Sequence, residues 1–354
     1  MIKRYIKLQS AIVLICCLCL ATACIAVDKL GSYGINKDSV SVSGISSGGY
    51  MAQQFHVAHS KSVIGAGIIA GGPFFCARGN LANICSCANL NNCFSAPANI
   101  SASIDSTQKE AAHNRIDNPK NMKTSRVWLF SGRKDTMIPT AVMDTVKEYY
   151  QAYLPEQNIN YVINEHAAHA MISVDAKNAC GYFGLPYMNN CNNYDAAGEL
   201  LQWIYDGKLE KRGVAEQNHL LEFDQTEFFD TSDDSISMNE VGHIYVPDDC
   251  VKKNGKVGCR LHIAFHGCEQ YQELIKDEFY AHAGYNEWAE KNRIIILYPQ
   301  TTKWDVLWFM FGWGSWNRNP KGCWDWWGYS DSDYFVKKGK QIQAIKKMVD
   351  HLAK

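Results

Sequence analysis

Ser39-Val-Ser-Val-Ser-Gly44-Ile-Ser46-Ser-Gly48-Gly-Tyr-Met-Ala52 is the stretch that decides how this chain folds. Val40 and Val42 mark a strand over Ser39–Ser43, and Gly48–Ser60 fits a helix opened by glycines. Between them lies the pentad Gly44-Ile45-Ser46-Ser47-Gly48. A strand that turns this sharply into a helix needs small flanking residues, because a Cβ at Gly44 or Gly48 would collide with neighbouring backbone. Such a turn lifts the Ser46 hydroxyl above the sheet and aims helix N-terminal N–H groups at a developing oxyanion. The pentad alone is weak, since composition places one in about one such chain in ten. The competing reading is a purely structural glycine turn, and context must separate the two.

Outward from the pentad, strands alternate with helical stretches, which predicts an α/β chain with a largely parallel sheet flanked by helices. Further strands are expected at Val63–Ala70, Arg126–Ser131, Asn160–Asn164, His243–Val246, Leu261–Phe265 and Arg293–Tyr298. Ile294-Ile-Ile-Leu297 is the continuous apolar run of a strand covered on both faces. Lys340–Ala353 is an amphipathic helix with Ile342, Ile345, Val349 and Leu352 on one stripe. Residues 73–123 read as a disulfide-stapled excursion from the sheet. Residues 209–240 are charged enough to resemble a linker. Without a Pro/Ser/Thr-rich spacer or a repeat, residues 27–354 are expected to form a single catalytic domain.

The 354 residues are 47% hydrophobic with a formal net charge of -1, which argues against disorder and against nucleic acid as a partner. Lys3, Arg4 and Lys7 precede an apolar run from Ala11 to Ala23, and small residues at Ala21, Ala23 and Ala26 suit a signal peptidase. Residues 1–26 therefore read as a signal peptide and the protein as secreted, extracellular or periplasmic. The run is short of the ~20 residues that span a bilayer, so no strong membrane partner is expected. A lipid anchor at Cys24, which would make a surface lipoprotein, is the alternative, although Ala21 is a poor match for the large apolar residue usual three positions earlier.

Four of the fourteen cysteines (Cys16, Cys17, Cys19 and Cys24) lie in or beside the leader. The ten that remain read as up to five disulfides in an exported chain. Cys180–Cys191 and Cys250–Cys259 would close short loops, and Cys268–Cys323 a longer one. Connectivity among Cys76, Cys85, Cys87 and Cys93 is left open. Zinc is the competing idea for that cluster, but no His lies between those cysteines and export disfavours it.

A serine nucleophile needs a base, and the base needs an orienting acid. Arg126-Val-Trp-Leu-Phe-Ser-Gly-Arg-Lys-Asp135 is an apolar strand followed by a turn that presents a carboxylate. The competing reading of Asp135 is a turn or cap residue. The next strand ends in Glu165-His166-Ala-Ala-His169, and either histidine is a candidate base. A second oxyanion donor fits the step after Leu261-His-Ile-Ala-Phe-His266-Gly-Cys268. That loop follows the triad residues, whereas the common hydrolase order puts it before the nucleophile. The order therefore points to circular permutation, with the last helix preceding the nucleophile strand in the unpermuted chain order and the termini close together.

Gly44-Ile-Ser-Ser-Gly-Gly-Tyr-Met-Ala52 resembles the lipase box of poly(3-hydroxybutyrate) depolymerases, especially the single-domain type with a permuted α/β-hydrolase fold. So do His169-Ala170, Pro186-Tyr-Met-Asn-Asn-Cys191, Tyr194-Asp-Ala-Ala-Gly198, His266-Gly-Cys268 and Asn319-Pro-Lys-Gly-Cys-Trp-Asp-Trp-Trp-Gly-Tyr329. The resemblance spans nearly the whole mature chain. It implies Ser46 as nucleophile, Asp135 as acid and His169, not His166, as base, with the N–H groups of Ser47 and Cys268 as the oxyanion hole. Two departures stand against it. Ala168-His169-Ala170-Met171-Ile172 replaces the usual Gly-His-Ala-Phe-Pro, and no separate polymer-binding domain follows a linker.

Seven of the ten tryptophans follow residue 300. The plain reading of any one is packing. The functional reading is an aromatic surface for an apolar polyester, with Trp324, Trp326 and Trp327 as substrate-binding candidates because a Cys268–Cys323 bridge would tether them beside the oxyanion loop. Trp308, Phe309, Met310 and Phe311 are candidates for adsorption to polymer.

The expectation is a monomeric serine esterase, with no metal or organic cofactor, that hydrolyses polyester through an acyl-enzyme to hydroxyacid oligomers or monomers. A feruloyl or acetyl carbohydrate esterase of the same fold is the nearest alternative. A catalytically silent polymer-binding protein is the alternative from another class.

Overall fold

The computed structural model describes residues 27–89, 92–94, 96–251, 258–304 and 318–354. The leader, with Cys24, and residues 305–317, with Trp308, Phe309, Met310 and Phe311, lie outside the described residues.

Along the chain the strands are β1 (Val40–Ile45), β2 (Val63–Ile69), β3 (Arg126–Gly132), β4 (Ile159–Asn164), β5 (Met171–Ile172), β6 (Asn178–Ala179), β7 (Met188–Asn190), β8 (Leu220–Asp224), β9 (Val241–Tyr245), β10 (Arg260–Phe265) and β11 (Ile294–Tyr298). The helices are α1 (Ser47–Ala58), α2 (Ile100–Ala112), α3 (Thr140–Gln151), α4 (Ala196–Ile204), α5 (Gln272–Ile275), α6 (Glu278–His282), α7 (Tyr285–Asn292) and α8 (Lys340–Leu352). Eight strands form one sheet in the order β4-β3-β2-β1-β10-β11-β9-β8, and β5-β7-β6 form a small second sheet. The large sheet is parallel from β4 to β11 and antiparallel at β9 and β8. Each expected strand is present within one or two residues of its expected ends.

Burial explains the strand sequences. Every residue of β1 is buried, including Ser41 and Ser43, whose hydroxyls bond the two ring nitrogens of His262 on β10 at 2.7 Å each. The valine–serine alternation therefore marks two buried faces, one apolar and one a satisfied polar network, and not a solvated edge. Ile294 to Leu297 are fully buried, as a strand covered by helices on both sides requires.

Permutation is visible at the termini. The carbonyl of Leu352, at the end of α8, accepts from the backbone N–H groups of Tyr33 at 3.1 Å and Ile35 at 3.3 Å, just ahead of β1. A chain joined there and opened before β8 would enter the sheet at its antiparallel edge and reach β1 only after β11. The buried apolar side chains form one contiguous cluster from Leu30 to Leu352.

The charged stretch 209–240, which only resembled a linker, contains β8, which pairs antiparallel with β9. Residues 73–123 are a stapled excursion, but they include the α2 helix, which packs on α3. The cysteines there pair as Cys76–Cys87 and Cys85–Cys93, which leaves no thiolate for zinc. Cys180–Cys191, Cys250–Cys259 and Cys268–Cys323 pair as expected.

Candidate active site

Four parallel strands bring their C-terminal ends to one edge of the sheet, where open α/β sheets place their sites. The turns after β1, β3, β4 and β10 carry Ser46, Asp135, His169 and Cys268.

Ser46 sits between β1 and α1 with φ 55° and ψ -123°, a backbone conformation that L-residues rarely adopt. The pentad makes it sterically attainable. A Cβ on Gly44 would come within 2.3 Å of the Gly48 carbonyl oxygen, and one on Gly48 within 2.3 Å of the Phe265 carbonyl oxygen. The Ser46 N–H bonds the Ile69 carbonyl of β2 at 3.0 Å, which fixes the turn to the sheet. Ser47 is the first residue of α1, so its N–H has no partner within the helix.

Asp135 and His169 form the orienting pair. His169 Nδ1 lies 2.8 Å from Asp135 Oδ2. The other oxygen, Oδ1, accepts from the N–H groups of Met137 and Ile138, each at 2.8 Å. Both side chains are buried. The pairing therefore holds the imidazole with Nε2 free for chemistry. His166 is exposed, and its N–H is spent on the Asn164 side chain at 2.9 Å in the turn after β4.

Ser46, Ser47, His169 and Cys268 line one cavity of about 580 Å³. Its wall is mostly apolar, with Ile45, Ile84, Ala88, Met137, Ile138, Phe183 and Trp326 among the lining, while Glu269, Arg318 and Lys321 bring charge. Trp326 is almost fully buried and stacks on Tyr50 with ring centroids 4.5 Å apart. Trp327 meets Trp326 edge-on at 5.3 Å and also lines the cavity. Burial, reinforced by the Asp135 charge, holds the Tyr50 phenol well above its ordinary pKa, and its hydroxyl donates to the Cys87 carbonyl at 2.6 Å.

Trp324 requires correction as a substrate-binding residue. It is wholly buried and is absent from the cavity lining, because its ring packs edge-on against Phe265 at 5.1 Å beneath the loop after β10. Its backbone N–H donates to Ser47 Oγ at 3.3 Å. The Cys268–Cys323 bridge does tether this segment to that loop, as expected.

Several site residues escaped the sequence reading. Tyr187 (φ 56°) sits on the lining, bonds Glu269 Oε2 at 3.2 Å, and has its phenol pKa pushed up to about 12 by burial and by that carboxylate. It belongs to a motif quoted for resemblance, but nothing in the motif says which way the ring points. Gln270, buried, donates to the carbonyls of Pro186 and Tyr187 at 2.9 and 3.1 Å, joining the loop after β10 to the segment that carries Phe183 and Tyr187.

Sheet order, turn positions and the hydrogen-bonded approach of the last helix to the segment before β1 together define a chain of the circularly permuted α/β-hydrolase class. No family profile matches the chain. It is 38% identical over 333 residues to the poly(3-hydroxybutyrate) depolymerase of Delftia acidovorans, covering 93% of this chain and 62% of that relative's length. It is 34% identical over 331 residues to the polyhydroxybutyrate depolymerase of Talaromyces funiculosus, covering 92% of this chain and 93% of that one. The chain belongs to the polyhydroxybutyrate depolymerase family. The crystal structure of PHB depolymerase from Penicillium funiculosum superposes with a TM-score of 0.80 at 33% identity, covering 92% of this chain and 98% of that one. A PHB depolymerase complexed with an R3HB trimer matches with the same figures.

Proposed function

We propose that this chain is a secreted serine esterase that hydrolyses poly(3-hydroxybutyrate)-type polyester to hydroxyacid oligomers or monomers. One observation carries the reading: the strained Ser46 turn and the 2.8 Å Asp135–His169 pair open onto the same apolar cavity. The names of the relatives support the substrate class. The basic, apolar leader supports export, and no helix among the described residues is long and apolar enough to cross a membrane. In this reading the protein acts as a monomer, and a lipid on Cys24 would keep it at the surface of its cell.

Chemistry proceeds in two acyl transfers. Ser46 Oγ attacks the ester carbonyl as His169 Nε2 takes its proton, and Asp135 stabilises the imidazolium. The N–H groups of Ser47 and Cys268 receive the oxyanion. Collapse expels the alcohol, which takes the proton from His169 and leaves an acyl group on Ser46. Water, deprotonated by His169, then attacks that acyl carbonyl, and the free hydroxyacid departs as Ser46 regains its proton. Trp326 and Trp327 supply apolar wall for the methyl-bearing chain of the polyester.

The test is clearing of polyester granules and hydrolysis of short acyl esters by wild type and Ser46→Ala. Both activities should vanish in the variant. Retention of wild-type esterase rates by Ser46→Ala overturns the reading. Turnover of feruloyl or acetyl esters with no granule clearing by wild type transfers the site to the carbohydrate-esterase alternative.

A further inference from the structure

Gly267 and Cys268 share one planar peptide unit, so whatever holds the Gly267 carbonyl also aims the Cys268 N–H in the opposite direction. His266 Nδ1 lies 2.8 Å from that carbonyl oxygen, and the Gln270 N–H donates to the same oxygen at 3.2 Å. Across the ring, Nε2 accepts from the Thr301 backbone N–H at 3.2 Å, with the Thr301 hydroxyl 3.3 Å away. A backbone N–H only donates, so Nε2 is unprotonated and the neutral ring carries its hydrogen on Nδ1, facing the carbonyl. Burial lowers the pKa of this imidazole to about 4, which keeps the ring neutral near pH 7.

The neighbouring donors are already committed. The Gly267 N–H bonds Gln270 Oε1 at 2.8 Å, and the Glu269 N–H bonds the Lys321 carbonyl at 2.7 Å. Among the described residues no protein group takes the Cys268 N–H, and Cys268 faces the cavity beside Ser46.

We propose that His266 is a positioning residue for the oxyanion hole: its Nδ1–H holds the Gly267 carbonyl away from the cavity, so that the Cys268 N–H faces the acyl oxygen on Ser46. His266 does not line the cavity, so it acts through the loop and not directly on a bound ester. Without its hydrogen bond the peptide is freer to rotate its carbonyl toward the oxyanion, replacing a donor with a repulsive dipole. The inference rests on the reading of Ser46 as nucleophile and Cys268 as donor.

The test compares His266→Leu, His266→Gln and His266→Asn with wild type and Ser46→Ala on p-nitrophenyl butyrate, with kcat and KM measured separately. Asn places an amide N–H near the position of Nδ1, whereas Gln places its amide near Nε2. The Leu and Gln variants should lose about 10²–10³ in kcat, the effect of losing one oxyanion donor, with KM nearly unchanged. Affinity for an alkyl boronic acid, which forms a tetrahedral adduct on the serine, should fall in parallel. Asn should recover kcat to within about tenfold of wild type, a rescue that a merely structural role does not predict. Should His266→Leu fail to fold, the contrast between Asn and Gln carries the same reading. Equal kcat in the Asn and Gln variants, or a folded Leu variant with wild-type kcat, overturns the proposal. If Ser46→Ala is inactive while His266→Leu is fully active, only the role of His266 falls. An active Ser46→Ala brings down the serine reading itself.

Discussion

The Asp135 carboxylate is fully employed: Oδ2 meets His169 Nδ1 at 2.8 Å while Oδ1 holds the N–H groups of Met137 and Ile138. The turn that follows β3 thus orients the carboxylate before any substrate arrives. Asp135→Asn would present an amide N–H or an uncharged oxygen to Nδ1, favouring the wrong tautomer and removing the charge that steadies the imidazolium. A loss of about 10⁴ in kcat is expected, with near-native unfolding behaviour. Steady-state kinetics on a soluble ester decide it, and a loss below tenfold would contradict the assigned role.

The two histidines after β4 should separate cleanly. His169→Ala removes the base and should lower kcat by at least about 10³. His166 is exposed and contributes to its turn through its backbone N–H, so His166→Ala should remain within about twofold of wild type. Equal residual activities would reverse the choice of base.

Trp324 and Trp326 stand two residues apart and should fail differently. Trp324 is fully buried, so Trp324→Ala should lower the unfolding free energy by about 3–5 kcal/mol. Trp326 lines the cavity against Tyr50, so Trp326→Phe should raise KM for hydroxybutyrate oligomers several-fold with a smaller loss of stability. Denaturant unfolding alongside oligomer kinetics reads both; a KM effect confined to Trp324→Ala would exchange the two assignments.

Stability should fall on mild acidification. Burial depresses the pKa to about 3 in His56 and His262 and to about 4 in His59 and His266, against an ordinary 6.5. Below 6.5 the unfolded chain takes up protons that the folded chain refuses, so stability declines as pH drops from 6.5 toward 4. Each histidine contributes a slope of up to about 1.4 kcal/mol per pH unit. His219, raised by its bond to Glu290, has the opposite sign, but its contribution is complete below 6.5 and is lost only as pH rises above it, so it leaves the decline below 6.5 unchanged. Urea unfolding at pH 7.5, 5.5 and 4.5 measures the slope, and a flat profile would refute the assignment of these rings as neutral.

The Cys268–Cys323 bridge closes a loop of sequence separation 55, and chain-entropy reasoning gives it about 4 kcal/mol against the unfolded state. The double variant Cys268→Ala with Cys323→Ala should show a stability loss of that order. It should also lose kcat, because the bridge ties the oxyanion loop to the Trp-rich segment. Unchanged kcat in the folded double variant would show that the hydrogen bonds of the loop suffice to hold it.

Legibility varied with how local the physics was. The Ser46 turn was readable because strand, pentad and helix follow one another directly and Gly44 answers a clash with Gly48 across the turn, although Gly48 itself answers the distant Phe265 of β10. The apolar run Ile294–Leu297 was readable because burial on both faces leaves no choice of residue type. Cys180–Cys191 and Cys250–Cys259 were readable because their loops are short. Strand β8 was not: Leu221 is 41% exposed and Glu222 is exposed, so an edge strand facing solvent looked like a charged linker.

By itself, then, the sequence determined the permuted α/β order, the strained serine turn and the set of cysteines that pair, since each depends on spacing along the chain. His169 over His166 came from resemblance, because both lie on one short loop. Tertiary structure alone decided that Trp326 walls the cavity while Trp324 packs beneath the oxyanion loop, and that the β1 serines meet His262. Residues two apart in a loop carry no periodicity that tells one face from the other. Their orientation is set by Phe265, Tyr50 and the Cys323 sulfur, which the fold brings to them from distant strands and helices.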